Sequence, residues 1–207
     1  MSLATALETL LDAVFPPRCA GCARLGSHFC LSCRHQLRSV QRPWCSSCGC
    51  TIGPDTSGLR DRCAECVLDP LPLHAVRSVA LFVGPLRLAI HRFKYRGRAA
   101  VARGLVDLMV DPARLALAGT ATGAQTIVVP VPLSAARERE RGYNQAALLA
   151  APLARALRLP LHCDALHRIR HTPSQVGQSR PQRRENVRGA FASQRRLMGS
   201  TCFWSTT

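Results

Sequence analysis

Eight of the eleven cysteines fall into four Cys-x-x-Cys pairs, Cys19/Cys22, Cys30/Cys33, Cys45/Cys48 and Cys63/Cys66. Each spacing sets two thiolates on one knuckle, and two knuckles can close a tetrahedral structural Zn²⁺ site. Four pairs therefore imply two zinc ions. The stretch from Arg18 to Val67 is too short to bury a sufficient core, so metal binding supplies most of its folding free energy. Sequential pairing of knuckles is favoured over a cross-braced arrangement, because the first two pairs lie a short loop apart. A disulfide scaffold is the alternative, disfavoured in a chain with no export signal. A thioredoxin-like role fits less well, since no pair opens a helix within a βαβ unit. His28, His35 and Cys50 lie close enough to compete as ligands but are surplus to four complete pairs, while Cys163 and Cys202 have no partner spacing.

A second kind of chemistry is written between Ile127 and Leu149. A β-branched run predicts a buried strand ending at Val131, followed by a loop with Arg137, Arg139 and Arg141 and then an alanine- and leucine-rich helix. In open α/β folds such a loop opens on the carboxyl edge of the sheet, where ligands bind. An extended Arg137–Arg141 segment would put all three arginines on one side and Glu138 and Glu140 on the other, facing a phosphate group. Tyr143, Asn144 and Gln145 would order the loop-to-helix turn. A solvated loop with weak local ion pairs is the plainer alternative.

The elements that must position these residues follow from periodicity. Residues 2–15 form a short amphipathic helix, and composition changes after Pro70 and Pro72, marking a domain boundary near residue 72. Ala75 to Val83 reads as a strand. Gly84 and Pro85 then start a helix whose basic end carries His91, Arg92, Lys94, Tyr95 and Arg96, a pattern that macrodipole capping explains as well as a ligand contact does. A helix over 99–110, a second one starting at Asp111 and Pro112, and a flexible link over 119–123 lead into the Ile127 strand. The helix from Tyr143 to Leu157 contains Pro152, which should kink or divide it. From Arg168 to Arg188 the chain holds six arginines and one glutamate. It reads as a mobile lid over an anionic substrate, with Ser179 and Gln182 forming a capping box for a short helix through Val187. A disordered basic linker is the alternative. Strands alternating with helices mean α/β.

The chain carries 28 basic and 12 acidic residues, a formal charge of +16, and Lys94 is its only lysine. Such a balance favours polyanionic partners. No stretch reaches the roughly 18 apolar residues of a membrane span, and the N-terminal helix lacks a basic leader, so a cytoplasmic protein is expected. A competing reading makes the zinc module a non-enzymatic grip on single-stranded DNA, with Phe29 and Trp44 as stacking candidates.

Taken together, the chain resembles the ComF family. The motifs are PPRCAGC at 16–22, the four cysteine pairs, FKYRG at 93–97, VVPVPLSAARERERGYNQAALLA at 128–150 and RHTPSQVGQSRPQRRENVRGAF at 170–191. The resemblance implies an N-terminal double zinc ribbon with four cysteines per metal (18–72, after the 1–17 helix), a type I phosphoribosyltransferase-like parallel sheet (73–192), and a link to competence and DNA uptake, with other DNA-uptake proteins as partners. It implies that the loop after the Ile127 strand faces the diphosphate of phosphoribosyl pyrophosphate, with Mg²⁺ nearby. In the family a strand and acidic turn of the form VLLVDDVxTTGAT follow. Residues 193–207 contain no aspartate and no such turn. Read two bases out of register, codons for Gly199 to Thr207 can spell Val-His-Val-Leu-Leu-Val-Asp-Asp, which suggests a frameshift. The expected fold is thus α/β with an incomplete parallel sheet and an aberrant tail. The corresponding expectation for function is a phosphorylated-sugar binder whose transferase activity is absent from this chain.

Overall fold

The computed structural model describes residues 16–53, 61–71, 73–95, 99–118, 126–193 and 202–203. The expected N-terminal helix over 2–15, the link over 119–123 and most of the tail lie outside them. The chain forms two compact units, one of residues 1–89 with 111–119 and one of residues 90–110 with 120–207. Residues 73–89 thus cluster with the cysteine-rich segment.

The first unit contains two copies of one local design. Each begins with a knuckle closed by an antiparallel bridge, Arg18 with Leu25 and Trp44 with Thr51. Each ends in a five-residue helix, α1 (Leu31–His35) or α2 (Ala64–Leu68), with a cysteine at the N-cap, Cys30 or Cys63. Cysteines also fill the interior. Cys45, Ile52 and Cys66 form one buried cluster with Cys48, Cys63 and Leu71 packed against it. So few apolar side chains cannot offset the entropy of ordering the chain, and cross-linking by metal must do so.

The expected strand at 75–83 does not form. Val76 N donates to Ser47 O (2.6 Å) and Leu81 N to Arg38 O (2.8 Å), so these donors satisfy the ribbon's loops instead of a ladder. Leu81, Phe82 and Val83 stay substantially exposed. Helix α3 (Gly84–Tyr95) follows where Gly84 and Pro85 predict it. It buries Leu86, Ala89 and Phe93, one stripe at helical spacing. The two helices expected around Asp111 are a single helix, α4 (Val101–Ala118), with Pro112 inside. Its buried residues Ala102, Leu105, Val106 and Ala113 lie on both sides of the proline, and burying them offsets the one hydrogen bond Pro112 cannot make.

In the second unit strand β1 is only Ile127–Val128. The expected extension to Val131 fails because Pro130 and Pro132 have no N–H to continue a ladder. Helix α5 (Ala135–Arg141) and helix α6 (Gln145–Leu157) follow, the latter running unbroken through Pro152. The chain then returns parallel to β1, with Val128 N donating to Pro160 O (2.8 Å) and His162 N to Val128 O (2.9 Å). Val128 packs with Ala150 and Ala154, and their small side chains let α6 lie close on the strand. This is a βαβ unit. Strands β2 (Leu166–Arg168) and β3 (Phe191–Ser193) pair antiparallel and bracket helix α7 (Arg180–Val187), which starts with the expected Ser179/Gln182 capping box. Within the tail, β4 (Cys202–Phe203) pairs parallel with β1, Ile127 opposite Cys202 and Val128 opposite Phe203. A second parallel strand is therefore present after Phe191, although no acidic residue accompanies it. The architecture is mixed helix and strand with an N-terminal cysteine-rich ribbon.

Candidate functional site

The four thiols of Cys19, Cys22, Cys30 and Cys33 lie within 4.8 Å of one another, as do those of Cys45, Cys48, Cys63 and Cys66. Pairing is sequential, as the short first loop suggests. Four sulfurs at about 2.3 Å from a tetrahedral Zn²⁺ would stand about 3.8 Å apart. The Cys22–Cys30 and Cys48–Cys63 sulfur separations are both 3.7 Å. That is nearly twice the bonded length of about 2.05 Å, which removes the disulfide alternative. His28, His35 and Cys50 belong to neither cluster.

The surroundings are built for thiolates. Cys30 N donates to Cys19 Sγ (3.3 Å) and Cys48 N to Cys45 Sγ (3.5 Å). Burial alone would raise the Cys19 and Cys45 thiols, but backbone N–H groups, first those of Cys22 and Cys48 respectively, bring both down to about 6. Cys33 and Cys66 are pushed up by burial and by the neighbouring thiols. Four thiolates this close cannot all ionise without a cation among them, so the donor set fits a divalent metal. Space is tight as well. A Cβ on Gly21 would stand 2.8 Å from Cys33 Sγ, so only glycine lets the knuckle close over the sulfurs.

The second cluster is cationic. Contrary to the extended backbone expected for Arg137–Arg141, this segment is helical. Ser134 caps it by accepting from Arg137 N, and Gly142 ends it in the left-handed region at φ 78°, its N–H reaching Glu138 O. Arginine and glutamate favour helix, and both end signals are present in the sequence. The consequence is a different division of charge. Arg137 and Arg141, one turn apart, share a half-buried face, while Arg139 is exposed on the other side.

That face meets the end of α3. Tyr143 Oη donates to Phe93 O (2.6 Å) and its ring stacks on Phe93 with centroids 5.9 Å apart. The Arg141 guanidinium lies 5.3 Å from the Tyr95 ring centre, and its Nη1 donates to Gln145 Oε1 (2.9 Å). Lys94, between these two aromatics, is lowered to about 8, first by burial and then by Arg141 and Arg137. Arg168 on β2 is likewise lowered, by burial and then by Arg137 and Arg170; it donates to Thr172 Oγ1 and lies over Phe191. Lys94 on α3 and Arg168 on β2 thus both feel the positive charge of the α5 arginines. Among the described residues none of the four forms an ion pair, whereas Arg114 pairs with Asp111 and Arg188 with Glu185. Half-buried like charges of this kind give the surface around α5 a positive potential.

Asn144 and Gln145 act by positioning. The Asn144 side chain accepts from Ala146 N (2.9 Å) and Ala147 N (3.4 Å) to cap α6, and donates to Val131 O (3.3 Å). Gln145 is only 4% exposed, and its buried Nε2 has no acceptor. Sequence reasoning leaves Lys94 and Tyr95 open between helix capping and a ligand contact and puts Arg168 in a basic lid, without linking them to Arg137 and Arg141. The lone lysine is the available signal. In the zinc module, Phe29 is buried at 4%, which removes it as a stacking platform, and Arg42 covers the Trp44 ring at 4.3 Å.

A family model described as "Double zinc ribbon domain" matches residues 10–67. The chain is 30% identical over 163 residues to "Competence protein F" of Haemophilus influenzae, covering 79% of this chain and 69% of that one. It is 31% identical over 147 residues to "DNA utilization protein YhgH" of Salmonella typhi, covering 71% and 63%. To "Competence protein ComFC" of Bacillus subtilis it is 30% identical over 138 residues, covering 64% and 54%. Between 54% and 69% of each of these relatives' length is therefore spanned. No solved structure matches the chain. No helix among the described residues is long and apolar enough to cross a membrane.

Proposed function

The chain belongs to the ComF family, and from that premise we propose that its second unit binds the diphosphate of a phosphoribosyl pyrophosphate-type ligand, in a protein serving competence and DNA uptake. The observation that carries this reading is the half-buried pair Arg137 and Arg141 on one face of α5, with Arg141 set against Tyr95 at the end of α3 and neither arginine ion-paired among the described residues. Two guanidinium groups one helical turn apart can each offer paired N–H donors to adjacent phosphoryl oxygens. Gln145 Nε2 is a further donor left without an acceptor.

Residues 127–207 hold only Glu138, Glu140, Asp164 and Glu185 as acidic groups, and Glu138 and Glu140 are solvent-exposed on α5. Among the described residues, nothing like the paired aspartates that the family resemblance assigns to the ribose hydroxyls and Mg²⁺ stands beside the cations. The proposal is therefore a half-site. It recognises the diphosphate and gains little from the sugar.

Calorimetry with inorganic pyrophosphate and with phosphoribosyl pyrophosphate, each with Mg²⁺, tests it. The two ligands should bind within about threefold of each other, a difference of about 0.7 kcal/mol. The Arg137→Gln/Arg141→Gln double variant should bind both at least about tenfold more weakly. Failure of pyrophosphate to bind, or unchanged binding by the double variant, would overturn the reading; a much tighter phosphoribosyl pyrophosphate complex would overturn the half-site.

A further inference from the structure

We infer that Val76 and Arg77 are positioning residues of the Cys45/Cys48/Cys63/Cys66 metal site. They act through the peptide groups of its first knuckle, so that metal occupancy there and the order of residues 76–81 are linked. The inference concerns the ribbon unit alone and stands apart from the diphosphate reading.

The knuckle runs Cys45, Ser46, Ser47, Cys48, Gly49. In a trans peptide the C=O of one residue and the N–H of the next share a plane and point opposite ways. The plane joining Ser47 to Cys48 turns its N–H to Cys45 Sγ (3.5 Å) and its C=O to Val76, whose N–H donates to Ser47 O at 2.6 Å. The plane joining Ser46 to Ser47 is gripped on its C=O side by Arg77, whose Nη1 donates to Ser46 O at 2.8 Å. Its N–H, that of Ser47, is a further backbone donor to the Cys45 thiol. Each of the two outer bonds therefore holds a peptide group whose N–H faces the sulfur.

The approach is close. Gly49 has φ 72°, and a Cβ there would stand 2.6 Å from Val76 O, so both its backbone conformation and this contact call for glycine. Arg77 Nη1 also donates to Val76 O (2.8 Å), which ties the guanidinium to the same spot. At the other end, Leu81 N on Arg38 O (2.8 Å) fastens the segment to the loop between the two ribbons. Residues 76–81 thus form a strap across the ribbon, and they run on into α3 at Gly84.

Thiolates around a divalent ion carry negative charge, and N–H groups fixed towards them stabilise it. A donor on the C=O side of the same peptide holds the plane in place and polarises its N–H further. The guanidinium does so with a full positive charge. Linkage makes the effect mutual: the factor by which the strap strengthens metal binding is the factor by which metal strengthens the strap. Without metal the knuckle loses its cross-link, and the carbonyl groups that Val76 and Arg77 bind lose their fixed positions.

The full chain is titrated with Zn²⁺ against a chromophoric chelator, as wild type and as Arg77→Met, which keeps the side-chain length and removes the donors. One ion should bind about tenfold more weakly and the other as before. Arg77→Lys keeps one donor for Ser46 O and should restore affinity to within about threefold of wild type. Cadmium NMR of the loaded chain assigns the ion: the resonance that Arg77→Met shifts should be the one missing from Cys66→Ser. Amide exchange tests the reverse direction. In Cys66→Ser, Val76 and Leu81 should exchange at least about tenfold faster, with α4 unchanged. Equal affinity at both sites before and after Arg77→Met, a loss shared by both sites, or a loss at the Cys19/Cys22/Cys30/Cys33 site would overturn the inference. So would full protection of Val76 and Leu81 in Cys66→Ser, a measurement that decides the matter even if Arg77→Met does not fold.

Discussion

The two four-cysteine sites and the cationic site are built on opposite plans. Each metal site draws its four ligands from a short stretch of chain, residues 19–33 or 45–66, using a knuckle and the first turn of a five-residue helix. Lys94, Arg137, Arg141 and Arg168 come from α3, α5 and β2, and Tyr143 on Phe93 and Arg141 on Tyr95 tie the end of α3 to the α5 region. In the first region opposite charge, thiolates around a divalent ion, supplies the cohesion. In the second, like charges are held together by packing and hydrogen bonds against their own repulsion. A metal centre can thus be local and self-stabilising, whereas the cationic cluster keeps charge that no carboxylate among the described residues balances.

The largest expected effect breaks the first plan. Zinc analysis should find two ions per chain, and Cys66→Ser should leave one. Chelation should remove both and unfold the ribbons, seen as lost amide dispersion in NMR spectra, because structural zinc contributes on the order of 10 kcal/mol to such folds. Pyrophosphate binding should survive chelation, since no cation of the second site depends on a thiolate. Loss of both together would mean that the regions are not separable as described.

A smaller effect sharpens the second plan. Asn144→Ala removes the cap of α6 and the tie to Val131 O, and should cost about 1 kcal/mol in denaturant unfolding. It should also weaken pyrophosphate binding by displacing Gln145 and, through it, Arg141. Full binding at reduced stability would show that the cap supports the fold alone.

The smallest effect is a pH dependence. Lys94 is lowered to about 8 in the folded chain, against an ordinary value of about 10.4 when unfolded. Between these values the unfolded chain holds more protons, so the Lys94 contribution makes stability rise with pH across that window. Pyrophosphate affinity should move the other way, falling as pH rises through about 8 and the lysine loses its charge. Lys94→Met should flatten both slopes. A titration of stability and affinity that is unchanged in this variant would place the titrating group elsewhere.

Much of the local structure is legible in the sequence. Cysteine spacing identifies both metal sites and their sequential pairing, Gly84 and Pro85 mark the start of α3, and Ser179 with Gln182 marks α7. The errors have specific causes. Pro112 suggests a break although the apolar stripe of α4 continues past it, and the 75–83 run suggests a strand although its donors are claimed by Ser47 and Arg38 carbonyl groups. At Arg137–Arg141, side-chain alternation points to extended backbone and the caps point to helix. Ser134 and Gly142 stand in plain view, eight positions apart, and they decide the backbone.

By itself the sequence determined the zinc ribbons, because ligand spacing within a few residues and the strength of metal–thiolate bonds leave little for distant contacts to decide. It also determined an excess of positive charge and a single lysine. Only tertiary structure decided which cations meet. Lys94 and Arg168 join Arg137 and Arg141 through the packing of separate elements, and Arg139 is excluded because a helix turns by about 100° per residue, so side chains two apart point to opposite sides.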